Sequence, residues 1–382
     1  MRSTEVLVVG AGPFGLSVAA HAKGCGMDVT VVGEPMAFWK HNMPQGMLLR
    51  SGLDWHLDTA GIYTLEAFID EKRLPLRGGE PIPVETFRDY AEWFRQCKKI
   101  SSEPLRVERL LRVDKHLEAQ CETGETIRAN AIVAAPGLAP FINIPSEIPA
   151  SLPRERFDHT STLVDFGRLA GKRCLIVGGR QSAFEWAALL IESGAQCIDL
   201  VFRHDTPRFV RSDWSFTDAM IQKTLQLRGW FQHLDPDQQE AIAKQFWTVG
   251  RLQLEPWLWP RVNKNNVRFW PNTRVADWRI ADDGAIEARL DRGDLLCADH
   301  VLFATGYRVD LAKVNYLASE VASGNLAVSE GFPSLDEDLQ TTMPGLYITG
   351  QAATRDFGPC FGFVRGCIAS ARIIVSACQL AT

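Results

Sequence analysis

The stretch Glu5-Val-Leu-Val-Val-Gly10-Ala-Gly12-Pro-Phe-Gly15-Leu-Ser-Val-Ala-Ala20 decides the fold of this chain. Its apolar run at 6–9 predicts a buried parallel strand, and the small residues from Leu16 onward predict a helix. Between them, three glycines have the G-x-G-x-x-G spacing. In this motif the first glycine allows a tight turn, the second lets a pyrophosphate approach the backbone, and the third lets helix and strand pack closely. Because the start of a helix offers free N–H groups and a partial positive charge, the stretch predicts a dinucleotide-binding turn.

The residues that follow give the motif its expected context. A second apolar strand, Asp28–Val32, ends at Gly33-Glu34. An acidic side chain about 20 residues after the first glycine can accept hydrogen bonds from a ribose. The alternative is an ordinary strand-turn-helix with a surface glutamate, which the motif in this context disfavours.

The loop at 35–51 is dense in aromatic residues and methionines, including Trp39 and Met47 next to Leu48. Long irregular loops in compact domains tend to be functional. Either this loop contacts a flat apolar ligand, or it packs its tryptophan on the core.

Composition excludes several classes of protein. The chain has 382 residues, enough for two domains and a large core. A net charge of -5 gives no electrostatic footprint for nucleic acid or an anionic membrane. No run of about 18 or more apolar residues is present, and the first strand begins almost at Met1, so neither a membrane span nor a signal peptide is expected. The nine cysteines form no C-x-x-C pair, which argues against a redox dithiol or a zinc knuckle and favours a cytoplasmic protein with reduced thiols.

The opening pattern recurs in the middle of the chain. A strand at Arg173–Val177 leads into the turn Gly178-Gly-Arg180-Gln-Ser-Ala183, a helix, and a second strand at 197–202 that ends in Arg203-His204. Two such units imply two nucleotides, or one nucleotide site and one vestige. A glutamate after the second strand suits a ribose hydroxyl, whereas an arginine there suits a 2′-phosphate. The first unit is therefore interpreted as an FAD site and the second as an NADPH site, with a solvated charge as the alternative for Arg203.

Arg180 breaks the second motif, because it stands where the middle glycine belongs. A side chain at this position is expected to crowd the pyrophosphate. Alternatively, its guanidinium pairs with the phosphates.

Other segments complete an α/β pattern. The residues from Pro81 to Phe94 predict a helix, 105–113 and 117–121 predict strands, and Thr126–Ala129 and 131–135 predict two further strands. Prolines then mark a linker and a domain boundary; they are Pro140, Pro145, Pro149 and Pro153. Beyond the repeat, strands are expected at 267–270, 285–290, 300–304 and 344–348, followed by a glycine turn and a C-terminal helix over 364–379.

Most of the tryptophans fall between Asp205 and Trp278, where the strand pattern is lost. Helices are predicted at 218–227 and 235–249. These tryptophans either line a substrate pocket or pack the segment on its parent domain. The chain is thus predicted to hold two Rossmann-like (FAD and NAD(P)) domains, the second inserted in the first: 1–153 and 304–382 for FAD, and 154–303 for NADPH, with a helical, Trp-rich insertion at about 205–278.

These motifs together resemble the two-dinucleotide-binding flavoproteins, most of all the flavin-containing (class B) monooxygenase superfamily with its N-hydroxylating and Baeyer–Villiger enzymes. The resemblance rests on the first glycine motif with Glu34, on Gln181-Ser182-Ala183, on Ala304–Tyr307, on Pro344–Tyr347, and on His159-Thr-Ser161 before the second motif. It covers most of the chain outside 205–278.

The sequence also departs from that superfamily. Arg180 replaces a glycine, Leu163 stands where an aromatic residue is usual, and Phe157 and His159 stand too close together for the F-x-G-x-x-x-H fingerprint. Gln351 occupies a position where related disulfide reductases often carry aspartate, which disfavours disulfide reduction in a chain without C-x-x-C.

The resemblance implies a reaction in which NADPH reduces FAD, O₂ adds to the flavin, and a C4a-peroxyflavin passes one oxygen atom to a small organic substrate by N-, S- or carbonyl oxygenation. Two alternatives stay open: an NAD(P)H-dependent flavin reductase or dehydrogenase without oxygen transfer, and an FAD-binding protein with a vestigial NADPH site. No acid–base pair is expected, because the cofactor carries the chemistry. His159 is the one candidate for a residue near the nicotinamide, with a structural histidine as the alternative. The candidate cofactor-binding residues are Gly10, Gly12, Pro13, Phe14, Gly15, Glu34, Trp39, Met47, Leu48, Ala135, Gly137, Gly178, Arg180, Gln181, Ser182, Ala183, Arg203, His204, Thr305, Gly306, Tyr307, Gly350, Gln351, Gly358 and Pro359.

Overall fold

The computed structural model of the chain describes residues 2–145 and 152–381. Among these residues, none of the helices has the length and apolar character that a membrane crossing requires. The α-helices, in chain order, are α1 (Pro13–Gly24), α2 (Ala37–His41), α3 (Leu65–Lys72), α4 (Val84–Cys97), α5 (Gln181–Glu192), α6 (Phe216–Gln226), α7 (Pro236–Arg251), α8 (Trp259–Val262), α9 (Asn315–Ala322), α10 (Thr354–Phe357) and α11 (Cys367–Ala381).

Two parallel sheets organise the strands. The strands, in chain order, are β1 (Arg2–Val9), β2 (Val29–Val32), β3 (Leu48–Leu49), β4 (Ile82–Pro83), β5 (Ser102–Glu103), β6 (Val107–Val113), β7 (His116–Cys121), β8 (Thr126–Ala134), β9 (Phe157–His159), β10 (Arg173–Val177), β11 (Cys197–Val201), β12 (Arg208–Phe209), β13 (Gln253–Leu254), β14 (Val267–Trp270), β15 (Val275–Ile280), β16 (Ile286–Leu290), β17 (Leu295–Ala298), β18 (His300–Phe303), β19 (Val328–Ser329), β20 (Phe332–Pro333) and β21 (Leu346–Ile348).

The first sheet is built around β1, in the order β5-β2-β1-β8-β7-β6. β1 pairs in parallel with β2 and β8, and its residues Val6, Leu7 and Val8 are at most 1% exposed. A parallel strand covered on both faces needs apolar residues at successive positions, which the run at 6–9 supplies. One face packs in a cluster with α1, α4 and α11, and the other face packs in a cluster that includes α9. The C-terminal part of the chain returns to this sheet, since β21 pairs in parallel with β8.

The second sheet lies between these two contributions in the chain, in the order β14-β11-β10-β18-β9. Its central strand, β10, is flanked by β11 and β18 in parallel, as β1 is flanked by β2 and β8. α5 buries Phe184, Trp186 and Leu190 in the cluster on one face. Strands β15, β16 and β17 form an antiparallel sheet that packs against the other face.

Two sequence predictions need correction, one pair of helices is confirmed, and one predicted linker residue lies outside the described residues. Thr126–Ala129 and 131–135 are not separate strands: they join in β8, whose first half pairs with β7 and whose second half pairs with β21. The predicted end of the insertion at 278 is too late, because β14 pairs with β11 inside the second sheet. The predicted helices at 218–227 and 235–249 are confirmed as α6 and α7. Pro149 of the predicted linker lies outside the described residues.

We call residues 208–262 the insertion. It contains α6, α7 and α8, and also the short parallel pair of β12 with β13, so it is not purely helical.

Candidate functional site

The first glycine turn folds as its motif predicts. Gly10 has φ of 111° and donates its N–H to the Val32 carbonyl over 2.9 Å. A Cβ added at Gly10 would lie 2.3 Å from the Ala135 carbonyl oxygen, and one at Gly15 would lie 1.8 Å from the Gly10 carbonyl oxygen. Neither position has room for a side chain. At Gly12, by contrast, a Cβ would meet no heavy atom within 4 Å, so its backbone faces open space at the start of α1. This arrangement fits a pyrophosphate held against Gly12.

Several of the predicted cofactor-binding residues gather around this turn. Pro13 is the first residue of α1, and Phe14 follows it. A Cβ at Gly350 would lie 3.6 Å from Cδ2 of Phe14. Ala135 donates its N–H to the Val9 carbonyl over 2.9 Å. The carboxyl ends of β1 and β8 and Gly350, two residues beyond β21, thus meet at one edge of the sheet, where open α/β sheets bind ligands. Gly137 follows two residues beyond Ala135, in the left-handed region with φ of 68°.

Glu34 lies beside the turn, at the end of β2. A Cβ added at the neighbouring Gly33 would lie 3.4 Å from the Ala11 amide nitrogen, so this part of the chain lies close to the turn. The Glu34 carboxylate contacts His41 Nε2 at 2.9 Å and Lys40 Nζ at 3.8 Å, on a side chain that is 44% exposed. Its position is the one that a ribose-binding acid requires.

Of the residues predicted from the aromatic loop, Trp39 packs on the core of the first unit, whereas Met47 and Leu48 also contact the second unit. The Trp39 ring packs on Phe87 with centroids 4.6 Å apart. Met47 packs against core clusters of both sheets, and the Leu48 N–H donates to Glu185 Oε1 of α5 over 3.4 Å. These contacts join the loop to the second unit, and contact of the loop with a flavin stays a prediction.

Glu185 is a buried carboxylate at this junction. Burial raises the pKa of Glu185 to about 7. The Arg261 guanidinium, which lies 3.0 Å from Oε1, acts in the opposite direction and favours the ionised carboxylate.

The second glycine turn repeats the first, with one difference. Gly178 has φ of 140° and donates to the Val201 carbonyl over 2.9 Å, and a Cβ there would lie 2.4 Å from the Ala304 carbonyl oxygen. Arg180 occupies the position that Gly12 has in the first turn. Each residue is the N-cap of its helix and has an extended backbone, with φ −106° and ψ −177° at Arg180 and φ −81° and ψ −173° at Gly12. The Arg180 guanidinium carbon lies 4.0 Å from the centre of the Trp247 ring, on α7 of the insertion.

The residues next to Arg180 offer further polar groups. Gln181 accepts the Glu255 N–H at its Oε1 over 3.4 Å, while its buried Nε2 has no hydrogen-bond partner in the described part of the chain. Ser182 is exposed on the first turn of α5, and Ala183 is fully buried beneath it.

Arg203 and His204 follow β11 at the carboxyl edge of the second sheet. Arg203 is exposed, and its guanidinium pairs with no carboxylate of residues 2–145 and 152–381. The His204 ring packs on Phe202 with centroids 5.1 Å apart, and its Nδ1 lies 2.7 Å from the Asp205 carbonyl oxygen. Arg203 therefore stands where an arginine that binds a 2′-phosphate is expected.

His159 is fully buried where the two units connect. Its Nδ1 receives the Ser161 N–H over 3.1 Å and lies 2.8 Å from the Ser161 hydroxyl, and its Nε2 lies 3.0 Å from the Gly306 carbonyl oxygen. This pattern requires the neutral tautomer with the proton on Nε2. Burial lowers the pKa of His159 to about 4. Both ring nitrogens have partners, which favours the structural alternative over a role at the nicotinamide.

Residues 305–307 hold this connection in place. Thr305 donates its hydroxyl to the Asn143 carbonyl, and the Tyr307 ring lies edge-on to the His159 ring at 5.4 Å. Burial raises the pKa of Tyr307 to about 12.

The segment after β21 contacts the insertion. Gly358, with φ of 86°, lies so close to Phe231 that a Cβ would come within 2.8 Å of the ring, and Pro359 follows it. The Gln351 amide oxygen would lie 2.7 Å from a Cβ on Gly362. Gly358 therefore lies where the end of the first unit meets the insertion, whereas Gln351 packs within its own segment.

An aromatic cluster closes this junction, and the motifs did not reveal it. Its ring centroids lie between 5.1 and 6.2 Å apart in consecutive contacts. It comprises Trp55, Trp214, Phe216, Phe246 and Phe363. Its members come from a loop of the first unit, from the insertion, and from the segment after β21. Tryptophan density pointed to Trp214 alone.

Arg50 is a second group that the motifs did not reveal. It is largely buried beside Glu255 (Nε to Oε1, 3.3 Å), and it donates to the Gly250 and Gln253 carbonyls over 2.7 and 3.0 Å and to the Ser212 hydroxyl. Burial lowers its pKa. Arg50 therefore fastens the first unit to the end of α7.

A cavity of about 690 Å³ lies between the loop that carries Arg50 and the insertion. Trp55 and Trp214 line it and also belong to the aromatic cluster. Glu80 and Asp213 add carboxylates to its wall.

Comparison with known proteins identifies the family. The sequence profile of the pyridine nucleotide-disulphide oxidoreductases matches residues 7–225, and a second profile of the same description matches residues 243–371. The chain belongs to this family. Its members are oxidoreductases, and the match supports the predicted cofactors, FAD and NADPH. Despite the family's description as disulphide oxidoreductases, the cysteines of this chain form no C-x-x-C pair.

Individual relatives differ in their activities. A ferredoxin–NADP reductase of Paraburkholderia phymatum is 23% identical over 361 residues, which is 92% of this chain and 81% of the relative. An FAD-dependent urate hydroxylase of Xanthomonas campestris pv. campestris is 30% identical over 132 residues, which is 32% of this chain and 27% of the relative. The structure of an ornithine N-hydroxylase of Kutzneria sp. 744, in complex with FAD, NADP⁺ and L-ornithine, superposes with a TM-score of 0.80 over 99% of both chains at 17% identity. This likeness confirms the predicted α/β fold with two Rossmann-like units.

Proposed function

We propose that this protein is an FAD-dependent, NADPH-consuming monooxygenase that transfers one oxygen atom from O₂ to a small organic substrate, by N-, S- or carbonyl oxygenation. The observation that carries the proposal is the aromatic cluster at the junction of the two units. Oxygen transfer from a reduced flavin requires a site that excludes water, because water promotes the competing release of hydrogen peroxide. Five aromatic rings from three segments of the chain supply such an enclosure.

In this proposal the residues of the two turns hold the nucleotides. The backbone at Gly12 and the start of α1 receive the pyrophosphate of FAD, and Glu34 accepts hydrogen bonds from its ribose. The start of α5 and Arg203 receive NADPH, with the guanidinium facing the 2′-phosphate. FAD, when bound, accepts hydride and activates oxygen; the chain orients the two nucleotides and shields the reaction.

The cavity between the Arg50 loop and the insertion is the proposed substrate site. Its size is in the range typical of small-molecule sites. Trp55 and Trp214 would place a bound substrate against the aromatic cluster. Charged groups of both signs that form no ion pair within the described residues line its wall, namely Glu80, Asp213 and Arg211, so the cavity favours a polar substrate.

The test uses the flavin-loaded protein with NADPH, supplied with urate or L-ornithine, the compounds named for the relatives. A monooxygenase consumes O₂ and NADPH in a substrate-dependent manner and places oxygen from ¹⁸O₂ in the product. Protein that carries no flavin after reconstitution, or that releases all consumed O₂ as hydrogen peroxide with either compound and with a wider panel of amines, thioethers and ketones, would overturn the proposal.

A second candidate function is electron transfer without oxygenation. The ferredoxin–NADP reductase relatives favour it, since one of them aligns over 92% of this chain. Such an enzyme reduces ferredoxin with NADPH under anaerobic conditions at a rate that substrates of a monooxygenase do not change. The anaerobic rate therefore separates the two functions.

A further inference from the structure

Arg180 lies at the position of the second turn that corresponds to Gly12 of the first turn. The equivalent residue of the first turn, Gly12, would carry a Cβ into space with no heavy atom within 4 Å. Because the two residues share their backbone conformation, the Arg180 side chain leaves the turn on the side where a pyrophosphate is expected. A guanidinium there can form paired hydrogen bonds with phosphate oxygens, which a lysine or a glycine cannot.

Trp247 holds this guanidinium in the structure. The separation of 4.0 Å between the guanidinium carbon and the ring centre is a close cation–π contact. The Trp247 side chain is 43% exposed, so the contact forms at the surface, where such interactions are weak. A dinucleotide pyrophosphate is a stronger partner for the guanidinium than a half-exposed indole ring.

The C-terminal end of α7 contacts both units. Four residues after Trp247 the helix ends, and there Arg50 of the first unit binds the Gly250 carbonyl over 2.7 Å. One end of α7 is therefore fastened to the first unit, while Trp247 reaches the nucleotide turn of the second. A change in the Arg180 contact acts directly on this helix.

We propose that Arg180 is a phosphate ligand of the nicotinamide dinucleotide and that Trp247 is its partner in the absence of the nucleotide. When NADPH binds, the guanidinium moves from the indole ring to the pyrophosphate and α7 loses its contact with the turn. This inference rests on the proposed use of NADPH. It assigns a binding role to Arg180, the residue that breaks the glycine motif.

The experiment measures the dissociation constant of NADP⁺ by calorimetry with the flavin-loaded protein and four variants. Arg180→Gly should weaken binding at least about tenfold, since a hydrogen-bonded charge pair is lost, and Arg180→Lys should fall between it and the unmodified protein. Trp247→Leu should tighten binding by about two- to fivefold, because it removes a competing cation–π contact. Trp259→Leu is the matched control: Trp259 is also on the insertion and 41% exposed, but its ring packs on Phe209. It should leave the constant unchanged.

Hydrogen exchange gives a second readout of the same proposal. NADP⁺ should speed amide exchange in residues 236–251 of the unmodified protein and should have no such effect in Trp247→Leu. Tighter binding by Arg180→Gly, or unchanged binding by Trp247→Leu, would overturn the inference while leaving NADPH use intact. If none of the five proteins binds NADP⁺, both the inference and the proposed function fail.

Discussion

Gly15→Ala and Gly12→Ala should separate the structural glycine of the first turn from the ligand-binding one. At Gly15 a Cβ would lie 1.8 Å from the Gly10 carbonyl oxygen and 3.2 Å from Cγ1 of Val8. Real Cβ atoms show no separation below 3.0 Å, so α1 would have to withdraw by about 1.2 Å from the turn. The obstacle is backbone, which cannot rotate away as a flexible side chain can.

The cost follows from that displacement. Overpacking a core commonly destabilises by about 1–3 kcal/mol, and a clash with backbone at the buried end of β1 belongs at the upper end. For a unit of this size, about 3 kcal/mol corresponds to a fall in melting temperature of roughly 6–12 °C. At Gly12 the methyl group meets nothing in the protein, so the loss is that of an alanine in place of glycine at a helix N-cap, below about 1 kcal/mol. A bound pyrophosphate, however, would be pushed off the backbone, and FAD affinity should fall at least tenfold, equivalent to about 1.4 kcal/mol.

The assay is thermal unfolding followed by circular dichroism, on flavin-free and flavin-loaded protein, with FAD affinity measured by fluorescence. Gly15→Ala should melt early in both forms. Gly12→Ala should melt within a few degrees of the unmodified protein when flavin-free, and at the same FAD concentration FAD should stabilise it less than the unmodified protein, by about 1.4 kcal/mol or more. A Gly12→Ala protein that retains FAD with unchanged affinity would refute the assignment of this turn to the flavin.

Three further predictions concern buried charges. His159 has a folded pKa of about 4, below its ordinary value of 6.5, so the unfolded chain takes up the proton first and stability should fall by up to about 3 kcal/mol as pH drops from 6.5 to 4. His159→Gln should remove that part of the acid dependence in urea titrations, and an unchanged slope would contradict it. Glu185 has a folded pKa raised to about 7, so its ionisation costs stability as pH rises from 4.5 through 7; Glu185→Gln should therefore raise the melting temperature at pH 8 and leave it nearly unchanged at pH 5. Arg50→Leu leaves Glu255 buried without its cation, at a cost of about 3–5 kcal/mol, and should speed chymotrypsin cleavage of the insertion, whereas equal cleavage rates would show that Arg50 does not fasten it.

The two glycine turns could be predicted from the sequence because the motif that marks each of them, a strand, a turn and the start of a helix, is continuous in the chain. The contacts that require glycine at positions 10 and 178 come from Ala135 and Ala304, which are remote in the chain, and the sequence alone does not show them. β8 shows where this reasoning ends. Asn130 interrupts its apolar pattern and suggested two strands, yet the chain continues straight because β7 and β21 pair with its two halves. β7 is adjacent in the chain, but β1 and β21, which pair with the second half of β8, are remote in sequence and leave no local signal.

The aromatic cluster and the Arg50 contact could not be predicted from the sequence, because their members are also remote from one another in the chain. Arg50 and Glu255 are 205 residues apart in the chain, and neither lies in a motif. Tryptophan density marked the insertion but set its end too late, because Trp270 and Trp278 belong to strands β14 and β15. Tryptophan content locates the insertion in the chain, but the contacts of each tryptophan ring depend on tertiary packing, which composition does not show.

The difference between the two turns is nonetheless informative, because it falls where the fold imposes no demand. Gly178 keeps its glycine, since a Cβ there would lie 2.4 Å from the Ala304 carbonyl oxygen, just as one on Gly10 would lie 2.3 Å from that of Ala135. Both tight positions are therefore set by the strand that runs beside the turn. A Cβ at position 12 would meet no heavy atom within 4 Å, and at the equivalent position 180 the arginine side chain extends to Trp247 of the insertion. Since no clash within the protein requires glycine at position 12, we infer that the arginine at the equivalent position 180 reflects the ligand of the second turn and not the architecture that the two units share.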